Sequence, residues 1–278
     1  MIEPGVLLGV GSAAAWGTGD FAGGIAARRA GGLLVTGAAQ AVGLAFLLLA
    51  VAVLRPAVPA TATIILGALG GIAGGLGLAA LYRGLAMGAM GLVSAVSGVG
   101  GVLIPLVVGF VLWGTQIQPL QLAGVGCALV AIAAASGATT RGVSREALLL
   151  AMVAAVGFGL WFVLLARASE HDQLWALVAS RGSASVVVGG IALLRAERSA
   201  LASVAPLVAL AGILDVAANG MVVLAFATIP VGIAAALSGT YPLATMLLAR
   251  TFLGEALPRL GLLAVALAVI GIVLISAG

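Results

Sequence analysis

The chain has 278 residues, of which 63% are hydrophobic and only 7% carry a charge. Its mean hydropathy is +1.32. Soluble domains carry roughly a quarter charged residues, so this composition excludes an ordinary soluble domain and predicts that lipid surrounds most of the surface. The basic residues are all arginine and lie scattered between apolar runs. The net charge of +4 therefore predicts no nucleic-acid partner.

Ten apolar runs follow one another, each close to the roughly 20 residues that cross a bilayer as a helix. The gaps between them are too short for a soluble domain, and the runs lack the period-two alternation of a membrane barrel. The N-terminus has no basic segment or cleavage site, so we expect the first run to be a permanent span. The predicted spans are 5–26, 33–54, 62–82, 91–113, 118–138, 146–166, 174–194, 205–227, 231–250 and 259–277.

The two halves of the chain resemble each other when one is shifted by 141 residues. Over residues 68–98 the shift gives nine identities in 31 pairs, where a composition of this kind gives about one in eight by chance. We therefore predict two repeats, residues 1–140 and 141–278. Because each repeat holds five spans, an odd number, the second enters the membrane from the side opposite to the first.

The placement of arginine supports this inverted arrangement. Short loops rich in arginine stay on the cytoplasmic side of a membrane, and nine of the loop arginines fall on one predicted side against two on the other. We expect a multi-pass protein of the inner (plasma) membrane with both termini on the outer face. The nine are Arg28, Arg29, Arg83, Arg141, Arg145, Arg195, Arg198, Arg250 and Arg259, and the two are Arg55 and Arg167.

Five polar residues lie deep inside predicted spans, where polar groups are costly and face a cavity or a partner. Asp215 and Asn219 lie one helical turn apart in the eighth span, Asp20 in the first, Arg181 in the seventh and Gln40 in the second. In one interpretation an aspartate couples a proton or binds a substrate amine, and the arginine holds a substrate carboxylate. In the other, an Asp–Arg pair joins two helices.

Aromatic residues inside spans are further candidates for a solute cavity. Trp16 and Trp161 lie deep in the matching first helices of the two repeats, and Tyr82 and Tyr241 lie inside spans or near their ends. An aromatic wall suits an apolar or aromatic solute, and plain packing is the alternative.

Two serines and two prolines complete the candidate set. Ser97 and Ser238 occupy matching positions of the repeat and are placed with the cavity residues. Pro105 and Pro242 are expected to kink the fourth and ninth helices and to act as hinges.

Short motifs lie at defined places in the chain, and in their order they resemble the EamA-type permeases of the drug/metabolite transporter superfamily. They are Trp16-Gly17 in the first span, the stretches Ala86 to Pro105 and Ala227 to Pro242, Arg181 early in the seventh span, and Gly254-Glu255 before the last.

The first repeat departs from that pattern, with Gly114-Thr115 in place of the Gly-Glu pair and Gln40 in place of the arginine. The resemblance implies an all-α bundle of ten transmembrane helices, two inverted repeats of five, around a central cavity that exports amino acids or other metabolites. YddG-type amino-acid exporters are similar in length and layout.

We therefore expect a secondary transporter that moves a small solute by alternating access as a monomer in the lipid bilayer. A channel or scaffold is one alternative, and an intramembrane enzyme is another. The sole histidine, His171, is predicted in a loop away from Ser97 and Ser238, which does not favour an enzyme. With one cysteine, Cys127, and no phosphate-binding loop, no metal, cofactor or ATP-driven step is expected.

Overall fold

The computed structural model describes residues 4–87, 90–114, 116, 118–120, 122–127, 130, 144–170, 172–195, 199–254 and 259–277. Regular structure in this part of the chain is helical throughout, without a strand. Most of the fifth predicted span lies outside the described residues, as do Thr115, Arg141, His171, Arg198 and Glu255.

The helix boundaries follow the predicted spans closely. Helices satisfy every backbone polar group internally, which a segment surrounded by lipid requires. Within the described residues, seven helical runs are long and apolar enough to cross a membrane, as expected of a multi-pass membrane protein. The helices are α1 (Pro4–Ala30), α2 (Gly32–Leu54), α3 (Thr61–Ala86), α4 (Met90–Trp113), α5 (Arg145–Ala168), α6 (Gln173–Ala184), α7 (Gly190–Arg195), α8 (Ser199–Phe226), α9 (Val231–Ser238), α10 (Tyr241–Leu253) and α11 (Arg259–Ala277).

Two connections explain how neighbouring helices change direction or pitch. Gly31 alone joins α1 to α2 and has φ +80°, a conformation that glycine adopts without a Cβ clash. Between α6 and α7 the chain continues as a π-helical turn, Ser185–Gly189. The seventh predicted span is therefore one helical run with a π-turn near its middle, and such turns often occur beside functional residues.

The ninth predicted span is confirmed as an apolar run long enough to cross a membrane, Val231–Leu253, but it is not one kinked helix. The prediction of a kink at Pro242 is wrong. α9 ends at Ser238, the chain turns at Gly239 and Thr240, and α10 begins at Tyr241. Pro242 lies in the first turn of α10, where its missing N–H costs no helical hydrogen bond. It therefore starts a helix instead of kinking one. Pro105 lies inside α4, as predicted.

The most extensive contacts join α1 to α8 and α3 to α5, which pairs helices from opposite halves of the chain. Small residues allow these helices to approach closely. A Cβ atom at Gly157 of α5, for example, would lie 2.8 Å from the Cα of Gly77 in α3. The halves are thus interlocked and not merely adjacent.

Two buried apolar clusters lie toward opposite ends of the bundle. The first, the arginine-side cluster, joins the helix ends next to Arg28, Arg83 and Arg145. On the same face, the exposed Arg83 and Glu146 form an ion pair of 2.5 Å between α3 and α5. The arginine-side cluster includes Ala26, Val35, Leu81, Leu85, Val93, Ala147 and Val204, and the opposite cluster includes Leu47, Trp161, Phe162, Leu165, Leu177 and Val222.

Candidate functional site

A central cavity lies near the middle of the helices and is lined by residues from both halves. Its free volume for the centres of water molecules is about 60 Å³. This space is large enough for water molecules or a small solute. The lining residues are Trp16, Asp20, Gln40, Gly71, Gly74, Gly75, Leu78, Gly98, Gly101, Phe158, Trp161, Phe162, Ser180, Arg181, Ala184, Asp215, Asn219, Gly239 and Tyr241.

A buried ion pair crosses the cavity wall. Nη1 of Arg181, on α6, donates to Oδ2 of Asp215, on α8, at 2.5 Å, and the two side chains are only 5% and 12% exposed. The same Nη1 also donates to Oε1 of Gln40, on α2. One guanidinium therefore connects three helices. This agrees with the interpretation in which an Asp–Arg pair joins helices.

Trp16 extends this network from α1. Its indole N–H donates to Oδ1 of Asp215 at 2.9 Å and to Oδ1 of Asn219 at 3.0 Å. Asp215 therefore accepts hydrogen bonds on both carboxylate oxygens. The four residues Trp16, Gln40, Arg181 and Asp215 come from four different helices, and none of the contacts between them is local in sequence.

The amide groups of Gln40 and Asn219 have a defined orientation because their partners can only donate. Each amide turns its oxygen toward its donor, Arg181 or Trp16. The two NH₂ groups form no hydrogen bond with any residue that the structure describes. Both residues line the cavity, so they are available there as neutral donors.

Asp20 lies one helical turn beyond Trp16 and also lines the cavity. The residue is only 6% exposed. Within the described part of the chain its carboxylate has no hydrogen bond and no ion pair. It differs in this from Asp215, which has two donors, Trp16 and Arg181.

Aromatic rings form one wall of the cavity. Trp16 makes edge-to-face contacts with Trp161, Phe162 and Tyr241, at centroid distances of 5.7, 5.9 and 6.3 Å. Such pairs are favoured beyond their buried area. The N–H of Trp161 donates to Oγ of Ser180 at 3.1 Å, which fixes this ring against α6.

Eight of the eleven predicted cavity residues line the cavity, and Tyr82, Ser97 and Ser238 do not. The Tyr82 ring is buried against Gly23, where an added Cβ would lie 2.3 Å from it. Ser97 hydrogen-bonds the Tyr241 hydroxyl at 3.0 Å, and Ser238 accepts from Oγ of Ser12 at 2.7 Å. These three side chains support the cavity wall from behind.

Sequence reasoning missed several lining residues. Phe158 and Phe162 lie three positions before and one position after Trp161 on α5, and this cluster of aromatics around a candidate was a usable signal. Ser180 directly precedes Arg181. The lining glycines carry no chemistry of their own, and only the packing of distant helices shows which of the 42 glycines face the cavity.

A second cavity lies at the end of the bundle away from the arginines, between α4, α5 and α8. We call it the vestibule, and its wall includes Trp113, Arg167, Glu170 and Phe226. The Arg167 guanidinium lies 4.5 Å above the Trp113 ring and forms an ion pair with Glu170 at 2.6 Å. Phe226, in the vestibule wall, contacts Phe162, in the central cavity wall, at 6.5 Å between ring centroids.

A solved structure described only as "Crystal structure of protein" is similar over 98% of this chain and 97% of its own, with a TM-score of 0.70 and 19% identity. At that identity the likeness shows the fold alone. No curated protein matches the chain. Residues 145–277 match the EamA-like transporter family. The match covers just under half of the chain and identifies residues 145–277 as an EamA-like transporter family domain, of the drug/metabolite transporter superfamily.

Proposed function

We propose that the protein is a secondary transporter that exports small metabolites, with amino acids as the first class to test, by alternating access of the halves 1–140 and 141–278. The observation that carries the proposal is the network of Trp16, Gln40, Arg181 and Asp215 on the wall of a central cavity. Burying polar and charged side chains inside an apolar bundle costs free energy, and such sites are typical of a solute pathway.

Contacts between equivalent positions support the two-repeat arrangement. A residue can touch its own repeat equivalent only near the axis that relates the halves. Gln40 and Arg181, 141 positions apart, are hydrogen-bonded. Gly98 and Gly239, also 141 apart, approach so closely that a Cβ on Gly98 would lie 3.1 Å from the Gly239 carbonyl oxygen. All four line the cavity, which supports a pseudo-twofold axis through the site.

A mirrored contact supports the same axis. A Cβ at Gly71 would lie 1.9 Å from the Ser180 carbonyl oxygen, and a Cβ at Gly212 would lie 2.6 Å from that of Ala39. Gly71 and Gly212 are 141 positions apart, and so are Ala39 and Ser180. The same close approach of two helices therefore occurs twice, as expected when two similar halves pack around an axis.

The charges do not follow this symmetry. Position 74, equivalent to Asp215, is a glycine whose added Cβ would lie 2.7 Å from the Trp161 ring. Asp215 instead carries a carboxylate, which accepts a hydrogen bond from the Trp16 indole, and Trp16 is not the 141-residue equivalent of Trp161. A symmetric scaffold that carries an asymmetric set of charges supports a site built for one solute orientation.

The two cavities support a route for the solute. The arginine-side cluster closes one end of the bundle, whereas the vestibule is separated from the central cavity by the pair Phe162 and Phe226. With the arginine-rich face in the cytoplasm, the vestibule faces outward. In this proposal the aromatic pair parts to release solute, and the arginine-side cluster opens to admit it.

Flux into and out of proteoliposomes tests the transport proposal. We expect saturable uptake or release of a radiolabelled amino acid or related small metabolite, without single-channel conductance. Saturable flux distinguishes a carrier from a channel. Absence of flux for every solute of a broad metabolite panel, with protein that melts cooperatively, would refute the proposal.

The aromatic pair has a separate test. Phe226→Ala removes one ring of the barrier, so we expect a cysteine placed at Ala184 in a Cys127→Ser background to react several-fold faster with a membrane-impermeant thiol reagent. The matched control is Phe110→Ala, because Phe110 is 54% exposed on the outside of the bundle. Equal labelling rates in both variants would remove the pair from the route.

A further inference from the structure

The charge balance of the central cavity is incomplete. The charged residues that line it are Asp20, Arg181 and Asp215. Arg181 and Asp215 neutralise each other as an ion pair. Asp20 has no ion pair or hydrogen bond within the described residues, although only 6% of its surface is exposed. The described site therefore carries one carboxylate that no side chain compensates.

The groups around Asp20 cannot supply the missing positive charge. Among the described residues, those within electrostatic reach are Asp215 on α8 and the hydroxyls of Tyr82 on α3 and Tyr241 on α10. Arg181 on α6 is the cation of the described cavity wall, and it is already held by Asp215. Because a buried charge without a partner is strongly unfavourable, Asp20 requires a proton or a cation from outside the protein.

The rest of the cavity wall suits an organic cation. The rings of Trp16, Phe158, Trp161 and Phe162 line the same space, and aromatic faces attract ammonium groups, most strongly when water is excluded. The walls also offer the free amide NH₂ groups described above, which are neutral hydrogen-bond donors suited to a carbonyl or hydroxyl oxygen.

We propose that the cavity selects small solutes with a net charge of +1, with their ammonium group bound to Asp20 and a neutral acceptor group bound by the amides of Gln40 and Asn219. This inference rests on the proposed transport function and refines its solute class. An amine or amino-acid amide brings the site to neutrality. A zwitterionic amino acid of the same shape leaves the site with the same excess negative charge, so it binds less well.

Protons compete with such a solute because both occupy the same carboxylate. The neighbouring tyrosine hydroxyls are neutral, and Asp215 is held by Arg181, so Asp20 is the group that decides the competition. Below the pH at which Asp20 takes up its proton, the apparent Kd of an amine rises about tenfold for each unit by which the pH is lowered. An alkylamine such as isobutylamine stays protonated over this range, since alkyl ammonium groups titrate near 10.4, and it is the solute for the pH series.

Binding of a matched solute series to the purified full chain tests the proposal. Isobutylamine and valinamide carry +1 at pH 7, valine is a zwitterion, and isobutyrate is an anion of similar shape. We expect the two cations to bind, valine to bind at least about tenfold more weakly, and isobutyrate not to bind. This comparison and its pH series use the wild-type protein, so they do not depend on the folding of a variant.

Variants then assign the effect to Asp20. Asp20→Asn is expected to weaken amine binding by about 30-fold or more, as when one partner of a buried charge pair is removed, and to abolish its dependence on pH. Asp20→Glu should restore both in part. Glu146→Gln removes an exposed carboxylate away from the cavity and should change neither.

Equal binding of isobutylamine and isobutyrate, or an unchanged amine Kd in folded Asp20→Asn, would overturn the proposal. Flux separates this failure from that of the transport proposal. Transport of an anionic or zwitterionic solute that is insensitive to Asp20 would refute the charge selection alone, whereas absence of flux for every solute would refute transport itself.

Discussion

Removing one charge of the buried pair should cost far more than removing both. Asp215→Asn leaves the buried Arg181 guanidinium without its ion-pair partner, and Arg181→Gln leaves the Asp215 carboxylate without its own. At 2.5 Å between Nη1 and Oδ2, the attraction is about 7 kcal/mol at an effective dielectric constant near 20. Desolvation offsets much of this, and losing one partner of such a pair typically costs about 3–5 kcal/mol.

The double variant restores neutrality, and two amides can still hydrogen-bond each other. We therefore expect it to lose less free energy of unfolding than the sum of the two single variants, with a coupling of about 2 kcal/mol or more. Unfolding of the purified protein in mixed detergent micelles gives the four free energies of the cycle. Additive losses, within about 0.5 kcal/mol, would refute the claim that Arg181 and Asp215 stabilise each other.

Two further substitutions probe the architecture through the free energy of unfolding in the same micelles. Trp16→Phe loses two hydrogen bonds, one of them to a carboxylate, and should cost about 1.5–3 kcal/mol. Trp161→Phe loses one hydrogen bond between neutral groups and should cost about 1 kcal/mol. An equal or reversed ranking of the two losses would contradict the network. Gly71→Ala would place a Cβ 1.9 Å from the Ser180 carbonyl oxygen and should cost about 3 kcal/mol or more or prevent folding. In its control, Gly182→Ala, the added Cβ meets nothing within 4 Å, so this variant should be neutral or more stable by up to about 1 kcal/mol. Similar effects of the two substitutions would refute the close approach of Gly71 to Ser180.

The path of the helices could be predicted from the sequence because each span is a local property. A run of about 20 apolar residues must form a helix in lipid whatever it later packs against. The boundaries of α2 and α4 therefore agree with the predicted spans 33–54 and 91–113 within a residue. The break at Gly239 escaped this reasoning, since an apolar run does not reveal a turn that is satisfied by neighbouring helices.

The deep polar residues could likewise be identified as candidates, since their cost in an apolar span is visible in the sequence. An Asp–Arg pair could be anticipated, but which aspartate pairs with Arg181 could not be predicted. Asp20 and Asp215 look alike in sequence, yet one is held by Arg181 and Trp16 and the other has no partner among the described residues. The partners of Asp215 lie 34 and 199 positions away, and only helix packing brings them together.

By itself, the sequence determined that this chain belongs in a membrane, where most of the described helices lie and which buried positions are polar, because these follow from local composition. Tertiary structure alone decided which aromatic rings and glycines face the cavity and which aspartate is neutralised. It also decided that Tyr82, Ser97 and Ser238 stand behind the cavity wall and do not line it. The reason is that helices of near-uniform composition can be packed in many ways, and the charge balance of a site depends on the few contacts that one packing creates.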